Sequence, residues 1–205
     1  MRDLFVTRLH EASLAGGPDF PTFNAELEAA CHMVADEDAA GRAWCRAHGF
    51  VGYTSYASLD DLTRRASVFE TLRKQLDRHA SAFSRELAHD LGSRGRLRLD
   101  SLWINLLPAK AAHSGHIHPL SVLSGVVYVA APPGSGALRL EDPRLGLMMA
   151  APPRRAEAPA ELNTFVTLAP TAGNLVMWES WIRHEVLSGS NRSPRISVSF
   201  NYAWR

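Results

Sequence analysis

The chain divides into a half with helical spacing of apolar residues and a half with strand-like alternation. Up to about residue 95, apolar residues recur every three or four positions, which is the spacing of helices with one buried face. From Arg96 onwards, short apolar runs alternate with polar residues and are separated by Gly, Pro and Asn. The sequence therefore predicts a mainly β protein of the α+β class, with N-terminal helices packed on one sheet.

The N-terminal half is predicted to contain three helices. The longest carries a stripe of apolar residues that faces the sheet and is predicted to end at Gly92. A second helix follows Pro21, and a third covers Asp36 to Ala47. The residues of the stripe are Phe69, Leu72, Leu76, Ala80, Phe83, Leu87 and Leu91. Outside the helices, Leu4 to Leu14 is predicted as an opening strand and Val51 to Ser58 as extended or irregular chain.

The C-terminal half is predicted to supply most of the strands. In the last of them, Ile196, Val198, Phe200 and Tyr202 face one way, and Arg195, Ser197, Ser199 and Asn201 face the other. Earlier strands are predicted over Ala137 to Glu141, Asn163 to Leu168 and Asn174 to Trp178. The Pro- and Ala-rich stretch from Ala150 to Ala160 is predicted to be either a surface loop or a lid over a site.

Length and charge narrow the class of protein. We expect the 205 residues to form a single domain, residues 1–205, in which residues 1–95 support a metal-binding β core of residues 96–205. The net charge of +1 gives no basic surface for nucleic acid or an anionic membrane, and no apolar run is long enough for a membrane span. Two cysteines indicate no disulfide framework, so a cytoplasmic location is expected. The oligomeric state stays open, a homodimer included.

The candidate chemistry begins with three histidines in six residues. If the backbone is extended there, His116 and His118 project to the same side, about 6–7 Å apart, and can bind one metal ion. His113 is expected on a loop, in a supporting or exposed position. The best third ligand is His184, which follows the predicted strand at Asn174 to Trp178.

Two further polar residues lie on predicted strands of this half. Arg195 begins the last strand on its polar face, and a buried guanidinium there needs an anionic partner such as a small carboxylate co-substrate. Asn105 shares a face with Trp103, which makes it either a contact for a bound molecule or an amide that bonds backbone at the core edge.

Several motifs of the C-terminal half, from about Leu102 onwards, resemble one family. The order His116-x-His118, His184, and Arg195 eleven residues after His184 is similar to that of the 2-oxoglutarate/Fe(II)-dependent oxygenases. More narrowly, the chain resembles an uncharacterised bacterial subgroup with a His-x-His motif. The motifs are His-x-His-Pro, Leu-Ser-Gly-Val-Val-Tyr-Val, Asp142-Pro, Ala-Gly-Asn-Leu-Val, Ser-Trp-Ile-Arg-His and Arg-Ile-Ser-Val-Ser-Phe-Asn. The resemblance implies a double-stranded β-helix, the cupin-like jelly roll, in which His116 and His184 bind iron and Arg195 binds the distal carboxylate of 2-oxoglutarate.

The chain departs from the superfamily at one ligand. His118 occupies the position of the usual Asp or Glu, so the expected metal ligands are His116, His118 and His184. Three neutral imidazoles leave Fe(II) with its full charge of +2, and they widen the choice of metal to Zn and Ni.

The resemblance implies an Fe(II)/2-oxoglutarate-dependent dioxygenase that oxidises an unknown small-molecule or amino-acid-like substrate and converts 2-oxoglutarate to succinate. Tyr128 and Ser197 are candidate hydrogen-bond donors to the co-substrate, and Trp103, Trp178 and Trp181 either shape the substrate pocket or belong to the core. Two alternatives remain open. One is a cupin-like three-histidine dioxygenase that does not use 2-oxoglutarate, and the other is a non-catalytic jelly-roll module that binds metal or a small ligand.

Overall fold

The computed structural model describes residues 2–205, which form two antiparallel β-sheets with helices against one of them. The helices are α1 (Phe20–Glu37), α2 (Ala39–Ala47), α3 (Leu62–Arg65) and α4 (Ser67–Glu86). The strands are β1 (Leu9–Ser13), β2 (Tyr53–Thr54), β3 (Leu97–Leu107), β4 (His113–His116), β5 (Leu123–Ala130), β6 (Leu138–Glu141), β7 (Phe165–Leu168), β8 (Asn174–Glu179), β9 (His184–Val186) and β10 (Arg195–Trp204).

The two sheets differ in size and together enclose a pocket. The larger sheet has the strand order β1-β8-β5-β10-β3-β2, and the smaller has the order β4-β9-β6-β7. Strands from both sheets line the pocket between them. From β3 to β10 the chain passes from one sheet to the other at each step except between β6 and β7, which pair within the smaller sheet. The arrangement is a double-stranded β-helix, and the predicted fold class is confirmed.

Strand β10 lies in the middle of the larger sheet, where it pairs with both β3 and β5. Its side chains alternate as predicted. Ile196, Val198 and Phe200 are fully buried in the core under the helices, whereas Arg195 and Ser197 line the pocket on the other face. One strand therefore joins the hydrophobic core to the candidate site.

The hydrophobic core lies between the helices and the larger sheet. Helix α4 contributes Leu72, Leu76 and Phe83, and α1 contributes Leu27 and Val34, all of them buried. Burial of this apolar face stabilises both helices far more than their intrinsic propensity does. The predicted packing of the long helix on the sheet is thus what the structure shows.

Helix α4 ends at Glu86, before the predicted end at Gly92. Ala88 adopts a φ of +54°, and the His89 N–H bonds the Ser84 carbonyl oxygen, so the chain leaves the helix through a left-handed residue. The sequence placed this turn at the glycine because glycine tolerates positive φ best. Leu91 consequently lies outside the helix.

Other boundaries differ from their predictions, and α2 begins at Ala39 instead of Asp36 because the Asp38 side chain accepts from the Gly41 N–H at its start. The opening strand begins at Leu9, because its pairing with β8 extends only from Leu9 to Ser13. The extended segment after Val51 contains the two-residue strand β2 alone. Strand β7 begins at Phe165, since the Asn163 N–H is bonded to Ala160 in a short 3-10 turn. Residues 150–160 form a loop that does not line the pocket, and none of the helices described is long and apolar enough to cross a membrane.

The position of Leu76 allows a test of the core. Leu76 in α4 is fully buried, so Leu76→Ala should lower the free energy of unfolding by about 2–5 kcal/mol through lost burial and a cavity. The matched control is Lys74→Ala, an exposed position of the same helix, which should change stability by less than about 0.5 kcal/mol. Urea denaturation of both variants measures the difference. Equal effects would contradict the assignment of this helix face to the core.

Candidate metal centre and co-substrate pocket

Three histidine side chains meet at one end of the pocket between the sheets. His116 at the end of β4 and His184 at the start of β9 are direct cross-strand partners. His118 lies two residues beyond the end of β4, where its backbone N–H donates to the Ser180 carbonyl oxygen at 3.1 Å. The premise that His116 and His118 share a strand is therefore wrong. The three rings converge nevertheless, with ligand nitrogens all within 4.8 Å of one another.

Each of the three rings has its Nδ1 atom opposite an oxygen. Nδ1 of His116 lies 2.7 Å from the Ser114 carbonyl oxygen, and Nδ1 of His184 lies 2.9 Å from that of Ile182. Nδ1 of His118 lies 2.5 Å from Oδ1 of Asn201. Since an amide oxygen can only accept, each Nδ1 carries the proton and each Nε2 keeps a free lone pair. This tautomer is the one that binds a metal through Nε2.

Burial keeps two of these rings neutral. Removal from water lowers the pKa of His184 to about 3, and the neighbouring histidines act in the same direction. Burial also lowers the pKa of His118 below its usual value, although the hydrogen bond to Asn201 opposes the shift. Neutral imidazole is the form that ligates metal ions, so this environment favours a metal over protons at neutral pH.

Arg195 is buried in the same pocket without an anionic partner. Its side chain is only 2% exposed, and within residues 2–205 it forms no ion pair. Its guanidinium lies over the ring of Tyr128, 4.9 Å from the centroid, and its Nη1 is 3.5 Å from Oγ of Ser197. Burial lowers the pKa of Arg195, because the cation has lost its hydration without gaining a carboxylate. Such a cation requires an anion to offset its desolvation.

Unsatisfied polar atoms cluster around Arg195. The buried atoms without a hydrogen-bond partner are Oδ1 of Asn105, the hydroxyl of Tyr128, Nε1 of Trp178 and Nε of Arg195. A buried polar group left unpaired costs about 1–3 kcal/mol, so four of them in one region indicate a polar ligand that completes their bonds. Three donors and one acceptor suit a carboxylate-bearing molecule.

The structure brings most of the predicted residues together. Trp103, Asn105, Trp178 and Ser197 line one pocket with the three histidines and Arg195, and Tyr128 contacts Arg195. The structure does not bring Trp181 into this pocket. Its side chain is 48% exposed, because the turn that buries Ile182 directs Trp181 outward. The roles assigned to these residues stay predictions.

Sequence reasoning misplaced His113 and missed three polar residues. His113 begins β4 instead of lying on a loop; it lines the pocket, packs edge-on against Phe50, and burial lowers its pKa to about 4. Ser124, Ser180 and Asn201 lie behind His118 and bond to it or to one another. The polar face of β10 already pointed to Asn201, but nothing in the sequence paired it with a particular histidine.

Solved structures with the same fold come from 2-oxoglutarate-dependent enzymes. A prolyl-4-hydroxylase from Pseudomonas putida has a TM-score of 0.61 at 17% identity, over 96% of this chain and 92% of that one. The α-ketoglutarate-dependent epimerase SnoN from nogalamycin biosynthesis has a TM-score of 0.64 at 17% identity, over 96% and 76%. HygX from Streptomyces hygroscopicus, solved with nickel and 2-oxoglutarate, has a TM-score of 0.61 at 14% identity, over 97% and 83%. At these identities the likeness shows the fold.

A jelly roll with three convergent histidines and a buried arginine is compatible with the class of non-haem metal oxygenases. Residues 101–201, just under half of the chain, match the family described as "Putative 2OG-Fe(II) oxygenase", which relates this segment to the 2-oxoglutarate/Fe(II)-dependent oxygenases. The predicted resemblance is confirmed over this segment, and the description of the matching family is that of an oxidoreductase that uses Fe(II) and 2-oxoglutarate. Among curated protein sequences, none matches the chain significantly.

Replacing Arg195 tests whether its buried guanidinium lacks an anionic partner in the free protein. Without metal or co-substrate, Arg195→Met should leave the free energy of unfolding unchanged or raise it by up to about 3 kcal/mol, because the variant no longer buries a charge. The control is Arg139→Met, which removes a half-exposed arginine that pairs with Glu185 and should slightly lower stability. Chemical denaturation of the apo proteins measures both. A loss above about 2 kcal/mol in Arg195→Met would show that the charge is already compensated.

Proposed function

We propose that this protein is an Fe(II)/2-oxoglutarate-dependent dioxygenase in which His116, His118 and His184 bind the metal and Arg195 binds the distal carboxylate of 2-oxoglutarate. The observation that carries the assignment is the presence, in one pocket, of three histidines with free Nε2 atoms and a buried arginine with no anion. Either feature alone would fit more than one kind of site. Together they fit a metal and a dicarboxylate bound side by side.

The donor set fits Fe(II), since neutral imidazoles are good ligands for it and a site with three protein ligands leaves positions open. When bound, Fe(II) supplies activation of dioxygen coupled to the oxidative decarboxylation of 2-oxoglutarate to succinate. The protein contributes the placement of the reactants and the exclusion of water. The apolar side chains between the sheets, among them Val126, Leu138 and Val176, keep this region dry.

Arg195 and its neighbours form the proposed carboxylate subsite. The guanidinium can bind the distal carboxylate through two parallel hydrogen bonds, and the hydroxyls of Tyr128 and Ser197 lie beside it as further donors. Asn105 and Trp178 carry the remaining unpaired polar atoms and are assigned to the rest of the co-substrate or to the substrate. These contacts give hydrogen-bond partners to polar atoms that are unpaired in the free protein. Binding therefore offsets the free-energy penalty of burying those atoms.

The proposed substrate side is the aromatic path that leads from His118 to solvent. The Trp103 ring lies 5.7 Å from the His118 ring, and the Tyr56 ring lies 5.1 Å from Trp103 and is exposed. A substrate reaching the metal along this path would contact both rings. We assign the substrate to small molecules, amino-acid-like compounds included. A cytoplasmic location agrees with the free thiols of Cys31 and Cys45.

The three-histidine ligand set also occurs in cupin-type dioxygenases, which gives the second candidate function. Such an enzyme would bind the same metal through the same residues and consume oxygen without 2-oxoglutarate. A non-catalytic module is the third. Arg195 argues against a module that binds only a metal and against a cupin-type enzyme with an uncharged substrate, because neither accounts for a buried cation that lacks an anion.

An anaerobic titration separates these functions. We expect the Fe(II)-loaded protein to develop a weak visible metal-to-ligand charge-transfer band on addition of 2-oxoglutarate. The band should be lost in His184→Ala and should require much higher 2-oxoglutarate concentrations in Arg195→Met. The control His32→Ala, at an exposed position of α1, should behave as the parent. Bound iron without a band would favour the cupin-type enzyme, and failure to bind any metal would contradict the proposed site.

A further inference from the structure

A group of polar side chains lies on the Nδ1 side of the His118 ring. Ser124 and Ser180 are fully buried and Asn201 is nearly so. Oγ of Ser124 lies 2.8 Å from Nδ1 of His118, 2.8 Å from Oδ1 of Asn201 and 2.7 Å from Oγ of Ser180. We call Ser124, Ser180 and Asn201, together with Ser101, the Asn201 network.

The Asn201 amide lies between Ser101 and His118. Its Nδ2 donates to Oγ of Ser101 at 3.0 Å, across the β3–β10 pair, and its Oδ1 faces His118. Oδ1 then receives both the Ser124 hydroxyl and Nδ1 of His118, the latter at 2.5 Å. Because an amide oxygen cannot donate, the His118 proton must be on Nδ1.

We propose that Asn201, supported by Ser124, is a positioning residue that holds His118 as the Nδ1–H tautomer and directs its Nε2 lone pair into the metal centre. His116 and His184 have their tautomers fixed by backbone carbonyls close to them in sequence. His118 follows the end of β4, and its ring depends instead on a side chain of β10, 83 residues away. The identity of the metal rests on the proposed function, whereas the tautomer does not.

The acceptor behind His118 is neutral, and this has an electrostatic consequence. A carboxylate in the place of the Asn201 amide would also hold the ring, but it would add a negative charge close to the metal. The amide leaves the metal with its full charge of +2, to which a doubly negative 2-oxoglutarate binds more strongly. Asn201 thus orients His118, the third neutral ligand, without adding a negative charge to the metal site.

The tautomer can be measured directly in the metal-free protein. Long-range ¹H–¹⁵N correlation spectra of ¹⁵N-histidine-labelled protein report which ring nitrogen of His118 is protonated, with assignment by comparison with His118→Gln. We expect the Nδ1–H form in the parent protein and a mixture of tautomers in Asn201→Leu. An Nε2–H tautomer in the parent would overturn the proposal, because the Asn201 amide would then donate to the ring.

The affinities for metal and for 2-oxoglutarate test whether Asn201 orients His118 and whether its neutral side chain matters. Asn201→Leu should weaken Zn(II) or Fe(II) binding about 10- to 100-fold in competition with a chromophoric chelator. Asn201→Asp should bind metal at least as well as the parent but bind 2-oxoglutarate about tenfold more weakly, since the new charge opposes the dianion. The matched control is Tyr202→Phe, which removes a hydrogen bond to Asp77 on the opposite face of β10 and should change neither affinity.

The results of these experiments can be distinguished from a variant that fails to fold and from failure of the proposed oxygenase function. If Asn201→Leu does not fold, the tautomer of the parent and the affinities of Asn201→Asp still decide the question. Metal affinity within twofold of the parent in a folded Asn201→Leu variant, with the tautomer unchanged, would overturn the proposal. A parent with the expected tautomer that shows no response to 2-oxoglutarate would retain the positioning role and count against the oxygenase assignment.

Discussion

The two-residue repeat of strand β10 is the constraint on which the rest of the structure depends. This strand pairs on both sides, so neither its register nor its faces can change without breaking a ladder. One face carries large apolar side chains that the helices cover, and the other carries Arg195, Ser197 and Asn201. The backbone of β10 thus positions both the side chains of the hydrophobic core and the polar side chains of the pocket. A slip of one residue would bury the polar face in the core and remove the arginine from the pocket.

Electrostatics determine what the pocket can hold. The burial that favours the neutral forms of His118 and His184 also leaves Arg195 cationic with no counter-ion, so the free protein has a positive charge where a divalent metal would add more. A dianionic co-substrate relieves this excess at both of its ends, at the metal and at the guanidinium. The buried positive charge destabilises the free protein and is compensated once metal and co-substrate are bound. This is the usual relation between stability and function at a binding site.

Much of this could be predicted from the sequence because it rests on local patterns. The alternation in β10, the helical stripe of α4 and the spacing of His116, His184 and Arg195 are all visible in the printed chain. The features that could not be predicted depend on contacts between distant residues. Three features follow from packing in three dimensions, and no residue near them in the chain indicates them: the end of α4 at Glu86, the outward turn of Trp181 and the pairing of His118 with Asn201.

The pairing of His116 with His184 across two hydrogen-bonded strands divides the metal centre into a rigid part and an adjustable part. Two ligands are built into a ladder and are pre-aligned before any ion arrives. The third, His118, lies past the end of its strand, and its ring is oriented by side chains of other strands. The direction of the first two rings is therefore set by strand pairing and nearby backbone carbonyls, whereas the direction of the His118 ring depends on the Asn201 network. The same division makes position 118 the ligand that can be exchanged for another residue with the least disturbance to the barrel.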